Sequence, residues 1–219
     1  MSAAASRVLA CALAALTMSA SGGLMAQGSS REAALQSLTR PDPATRREAA
    51  NRLGEVGTMA DVPALVRALH DGDEDTREEA QQALWRVWAR SGDPDVDRLY
   101  QTGVDEMSAG ELEKSIATFT RVIELKPDFA EGWNKRATLY FLTGDLRKSL
   151  ADCDQVIKRN PYHFGALAGY AQIYLRLEQY ERALEYARRA VAINPNLDGI
   201  REIIPALEHM LEERRKRMI

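Results

Sequence analysis

Cysteine is nearly absent from this 219-residue chain, which carries only Cys11 and Cys153. A disulfide framework is therefore excluded. Histidine is as scarce: His70, His163 and His209 stand far apart, and none has a second ligand at metal-site spacing. No phosphate-cradling glycine loop, nucleophile elbow or zinc-protease motif occurs. Aromatic residues make up 6%, so a core must rely on Leu, Ala, Ile and Val. A net charge of −3 offers no basic footprint for nucleic acid, and it is too small to enforce disorder. An enzyme reading has no positive support, and nothing calls for a cofactor, a metal or a small-molecule substrate.

Two patterns touch on chemistry. In "DGDEDTREE", Asp71, Asp73 and Asp75 have the spacing that opens a calcium loop. That loop needs Gly at its sixth place and Glu at its twelfth, where Thr76 and Gln82 stand. The expectation is an inter-helix turn with a cap and an acidic first turn. Cys153 falls on a core position with no base beside it, so a buried thiol is expected rather than a nucleophile. His70 and His163 sit at helix ends, where solvated roles are expected.

Long apolar runs are lacking too. Val8–Met18 follows the single charge of Arg7 and precedes small residues. This resembles a secretory signal peptide cut after Ala26, or else after Ala20, and is too short and interrupted to span a bilayer. Cys11 lies too early for a lipoprotein site. The expected location is periplasmic or secreted, which leaves Cys153 as a lone thiol in an oxidising compartment.

What the chain does have is a period. Pro127, Pro161 and Pro195 stand thirty-four residues apart. Aligned on them, small residues recur as Gly103, Ala137 and Ala171, and again as Ser115, Ser149 and Ala183. Large ones recur as Leu99, Trp133 and Leu167. Small residues let two helices approach, and large ones fill the hollow between them. Gly110 and Gly144 suit the left-handed position after a helix, and Asp145 stands where a cap belongs. Upstream the period is different. Thr45-Arg46, Ala49 and Leu53 align with Thr76-Arg77, Ala80 and Leu84, thirty-one residues on. Asp42-Pro43 and Asp93-Pro94 each read as a cap followed by proline in the first helical turn.

Trp133, Ala137, Tyr140, Gly144 and Pro161, with Ala171, Tyr174, Tyr180, Ala183, Ala190 and Pro195, resemble the tetratricopeptide repeat pattern. Glu106 departs from it, standing where Tyr140 and Tyr174 stand. Residues 42–98 resemble short HEAT-like repeats. The resemblance implies an all-α fold, a right-handed α-solenoid of helix–turn–helix repeats. Its parts would be a signal peptide at 1–26, HEAT-like repeats at 30–93, three tetratricopeptide repeats at 94–195, and a capping helix at 196–219. Ile200, Ile203, Ile204, Leu207 and Leu211 share one face of that last helix, and Pro205 is placed to kink it. Whether the two repeat types stack as one superhelix stays open.

In this family the first helix of each repeat lines a concave groove. Carried over, the groove positions include Tyr100, Val104 and Met107 in the first repeat. The second supplies Asn134, Thr138 and Phe141, and the third Ala168, Gln172 and Leu175. The carboxylate clamp of the chaperone-tail subclass is not reproduced by Asn134 alone. The resemblance thus implies an exported, non-enzymatic scaffold holding a partner protein or extended peptide. Self-association as a homo-oligomer, or an accessory place in an enzyme complex, are the alternatives. The HEAT-like family includes bilin-lyase relatives, although no Cys and His cluster is present. Packing of the same positions against neighbouring repeats, or under the HEAT-like segment, would close the groove.

Overall fold

Aspartate side chains cap three of the helices, and left-handed glycines follow two. In the computed structural model, which describes residues 30–216, every regular element is a helix. The expected signal peptide at 1–26 lies outside the described residues. Helix α1 covers 30–37, α2 Pro43–Val56, α3 Val62–Ala68 and α4 Glu74–Trp88. Asp42, Asp73 and Asp93 lie extended before α2, α4 and α5 (Pro94–Ser108), and their carboxylates accept backbone N–H groups of the first turn. The acidic stretch is thus held by protein groups: Asp71 takes a two-pronged Arg46, Asp73 caps Thr76, and Asp75 meets Arg47.

Three antiparallel pairs follow: α5 with α6 (Leu112–Leu125), α7 (Ala130–Leu142) with α8 (Leu146–Arg159), and α9 (Phe164–Arg176) with α10 (Tyr180–Ile193). Helix α11, Asp198–Lys216, packs on α10 and runs through Pro205. Gly110 and Gly144 take φ of +77° and +84° after α5 and α7. In the third pair Glu178 takes that place at φ +57°. Asp145 is not the side-chain cap that its position suggests. The tight turn holds it at ψ 59°, outside the extended cap conformation, so its carboxylate pairs with Lys148 instead.

Close approach within each pair follows from the small residues. A Cβ on Gly103 would lie 2.8 Å from the Phe119 ring. Ser115 and Ser149 do more than stay small. Their hydroxyls donate across the pair to the carbonyls of Gly103 and Ala137, at 2.8 and 2.7 Å. Glu106 is buried and accepts from the Thr118 hydroxyl at 2.6 Å, which accounts for its departure from the tyrosine pattern.

The two repeat types do not simply continue one another. Helix α4 folds back onto the turns that precede α9 and α11. Trp85 and Trp88 pack on Phe164, with ring centroids 5.1 and 5.0 Å apart. Arg77 donates to Asn196 at 2.9 Å, Asn196 to the Leu69 carbonyl at 3.0 Å, and Asn194 to Gln81. His70 Nε2 lies 3.2 Å from the Ile193 carbonyl. His163 is not solvated. It is fully buried under Trp88, stacked at 4.5 Å, and its Nδ1 accepts the Ala166 N–H as the cap of α9. Burial follows because the fold-back lays an indole on it, a contact that no local pattern encodes.

Candidate functional site

Helices α7, α9 and the start of α11 form the open part of the concave surface. Asn134, Thr138 and Phe141 from α7 meet Ala168 and Gln172 from α9 around a notch of about 130 Å³. Its walls are completed by small groups, among them Ala137, Cys153 and Gly169. Gln172 and Leu175 also wall an adjoining, largely apolar depression of about 420 Å³, lined in addition by Leu197, Asp198, Ile200 and Ile203. Six of the nine positions named from the sequence therefore line two cavities that share Gln172 as a wall.

The other three do not. Tyr100 is 7% exposed and sits edge-on to Phe119 and Phe129, so it offers no anchor to a ligand. Val104 and Met107 are half-buried in the same cluster, beside Leu112 and Ile116. The first repeat spends its groove side on its own core. The next part of the groove is occupied from within. Trp88 covers His163, while a Cβ on Gly165 would come 2.6 Å from the Trp85 ring.

Below these indoles lies a buried carboxylate. Glu131 is 2% exposed and its Oε2 stands 2.8 Å from His163 Nε2. Since Nδ1 accepts a backbone N–H, the proton of the neutral imidazole resides on Nε2 and is donated to Glu131. Asn134 Nδ2 donates at 3.1 Å and Lys135 Nζ lies 3.4 Å away. Burial pushes the Glu131 carboxyl up, but the hydrogen bond from His163, the Lys135 ammonium and the hydrogen bond from Asn134 outweigh it and hold the group below its usual value. Burial, and then the Glu131 charge, push the Tyr100 phenol up. The Cys153 thiol, buried between Asp152 and Asp154, is pushed up to about 12. It is a wall of the notch and is not poised as a nucleophile.

The Arg176 guanidinium lies 5.3 Å over the Phe141 ring and donates to the Phe141 carbonyl at 3.2 Å. Gly165, carried over with the third repeat's groove positions, does line the notch; sequence reasoning missed Gly169, four residues on in the same helix, whose unusual placement was the available signal. It also missed Leu197, Ile200 and Ile203 as groove walls, having assigned them only to the cap. The tryptophans three apart at 85 and 88 gave no local sign of where they dock.

Comparison with known proteins agrees with this geometry. Residues 100–162 and 143–198 match the tetratricopeptide repeat family model, and residues 3–85 match that of HEAT repeats. A TPR repeat-containing protein of Rhizobium etli is 37% identical over 105 residues, covering 45% of this chain and 52% of that protein. The chain thus spans about half the length of that relative. The Sgt2 TPR domain from Aspergillus fumigatus superposes with a TM-score of 0.53 at 20% identity, over 57% of this chain and 83% of that one. The first TPR of Spaghetti (RPAP3), bound to the HSP90 peptide SRMEEVD, superposes with a TM-score of 0.52 at 18% identity. That match covers 53% of this chain and 93% of the other.

Proposed function

From a chain that is a HEAT- and tetratricopeptide-repeat protein, we propose a non-enzymatic scaffold that holds an extended segment of a partner protein in the α7–α9–α11 groove. The observation that carries this reading is the pair of cavities that share Gln172. They have apolar walls and carry side-chain amides, Asn134 and Gln172, at the notch. Amides there can bond a peptide backbone whatever its sequence, while the cavities take its side chains. A related fold holding a peptide supports the same use of this surface. Docking of α4 keeps the groove rigid before a partner arrives, which lowers the ordering cost of binding.

The reading extends to the compartment. Arg7 and the apolar run after it suit export, with the scaffold acting in the envelope or outside the cell. A buried thiol with a raised pKa is compatible with an oxidising compartment.

The test is a photo-reactive residue in place of Phe141, crosslinked in the living cell. The expected result is a discrete partner whose crosslink is lost when Asn134 is also changed to Ala. Crosslinks to other copies of this chain alone, or a partner indifferent to Asn134, would overturn the groove reading. Fractionation of the same cells tests export, and a wholly cytoplasmic chain would end that part.

A further inference from the structure

We propose that the segment held in this groove is acidic and carries a small aliphatic side chain followed, two residues on, by a large apolar one. This rests on the groove reading above and narrows it to one ligand chemistry.

The notch measures about 130 Å³. It is about a third the size of the cavity beside it, so an Ala- or Val-sized group is favoured there over a large one. The walls are small by sequence: Ala137, Cys153 and Gly169 each stop within a few atoms of the backbone. The adjoining cavity of about 420 Å³ is lined by Leu175, Leu197, Ile200 and Ile203, with Asp198 also on its wall but paired with Arg201 at 2.6 Å, and accepts a much larger apolar group. Gln172 is a wall of both. In an extended chain, side chains two residues apart leave the same face. Two cavities sharing one wall therefore match an i, i+2 pair, with the Gln172 amide beside the backbone between them.

Charge sets the third feature. Arg176 is exposed, and its guanidinium carbon lies 5.3 Å from the centre of the Phe141 ring, itself a wall of the notch. No carboxylate of the described residues pairs with it, whereas Lys135 at the other end already faces Glu131. A guanidinium has five N–H donors, so with one given to the Phe141 carbonyl the rest can meet a carboxylate. The partner's acidic residue accordingly lies on the Phe141 side of its small residue.

Gly169 provides the probe. A Cβ there would meet Cys153 Sγ at 3.8 Å, an ordinary contact, so alanine enters without moving the walls and takes up one methyl of space. A displayed library of random heptapeptides is selected on the full chain, and selected peptides are measured by fluorescence anisotropy. The expected consensus is an acidic residue beside small–x–large apolar. Against Gly169→Ala, peptides with Val at the small place weaken by about tenfold relative to those with Gly, the worth of about one methylene in an apolar pocket. Arg176→Gln weakens acidic peptides and leaves their amide counterparts unchanged.

Peptides that need the groove yet show no such pattern, or no change of preference in Gly169→Ala, would overturn this inference and leave the groove reading standing. Need for the groove is read with Phe141→Glu, and with Thr138→Arg as the second variant should the first not fold. If no peptide is enriched, or both variants bind as the parent does, the groove reading itself falls.

Discussion

His163 Nε2 stands 2.8 Å from Glu131 Oε2, and neither residue is more than 2% exposed. The pair joins the second repeat to the third, and Trp88 of the HEAT-like part lies flat on the imidazole. One hydrogen bond thus sits where three parts of the chain meet. A buried carboxylate without its partners would be costly, so the contact ties the fold-back of α4 to the repeat stack beneath it.

Acid should loosen this junction. The Glu131 carboxyl is held below its ordinary value of 4.5, so the folded state favours its charged form. That stabilisation is fully present above the unfolded value and is lost as pH falls below 4.5 through the lower folded one. Glu131→Gln keeps an acceptor for His163 but removes the charge. It is expected to cost roughly 1–3 kcal/mol at neutral pH. Urea melts between pH 3 and 7 are expected to show a smaller acid-side loss for this variant than for the parent, and parallel curves would refute the assignment.

Two glycines in one helix should respond in opposite ways. Alanine inside a helix normally gains about 1 kcal/mol over glycine. At Gly169 that gain is expected, because the added Cβ meets only Cys153 Sγ at 3.8 Å. At Gly165 the Cβ would lie 2.6 Å from the Trp85 ring, which is packed among Trp88, His163 and Phe164. Overpacking there is expected to cost roughly 1–3 kcal/mol and to alter tryptophan fluorescence. Equal melting shifts in the two variants would contradict the docking of α4 on α9.

Glu178 is a non-glycine residue at φ +57°, in the place that Gly110 and Gly144 hold in the other pairs. Left-handed backbone costs a side-chain-bearing residue on the order of 1 kcal/mol. Glu178→Gly is therefore expected to raise the melting temperature, and a lower one would mean that the carboxylate makes a contact of its own.

Cys153 should be silent towards thiol reagents in the native chain. Its burial and a pKa of about 12 leave little thiolate at neutral pH. Labelling with a maleimide is expected only in denaturant, and rapid labelling of the folded chain would show that the notch opens.

Much of this was readable from one chain of letters. Pro127, Pro161 and Pro195 announce the repeat because proline cannot continue a helix. Gly103 and Ser115 announce the close approach because nothing larger fits beside Phe119. Helix ends at Asp42, Asp73 and Asp93 follow from side chains that reach only two or three residues. All of these are local effects, and a period of thirty-four residues repeats them faithfully. Tyr100 and Asn134 hold the same place in consecutive repeats, yet only Asn134 reaches the notch. The period could not separate them, since the difference lies in what packs above each.

The sequence by itself determined the helices, their pairing and six of the positions that line the two cavities, because each depends on contacts within about one repeat. Only the tertiary structure decided that α4 turns back across the stack to bury His163. It likewise decided that the capping helix lends Ile200 and Ile203 to the groove. The fold-back contacts join residues roughly eighty or more positions apart, Trp85 with Phe164 and Gln81 with Asn194. Contacts of that span are set by the shape of the whole superhelix, which no local pattern carries.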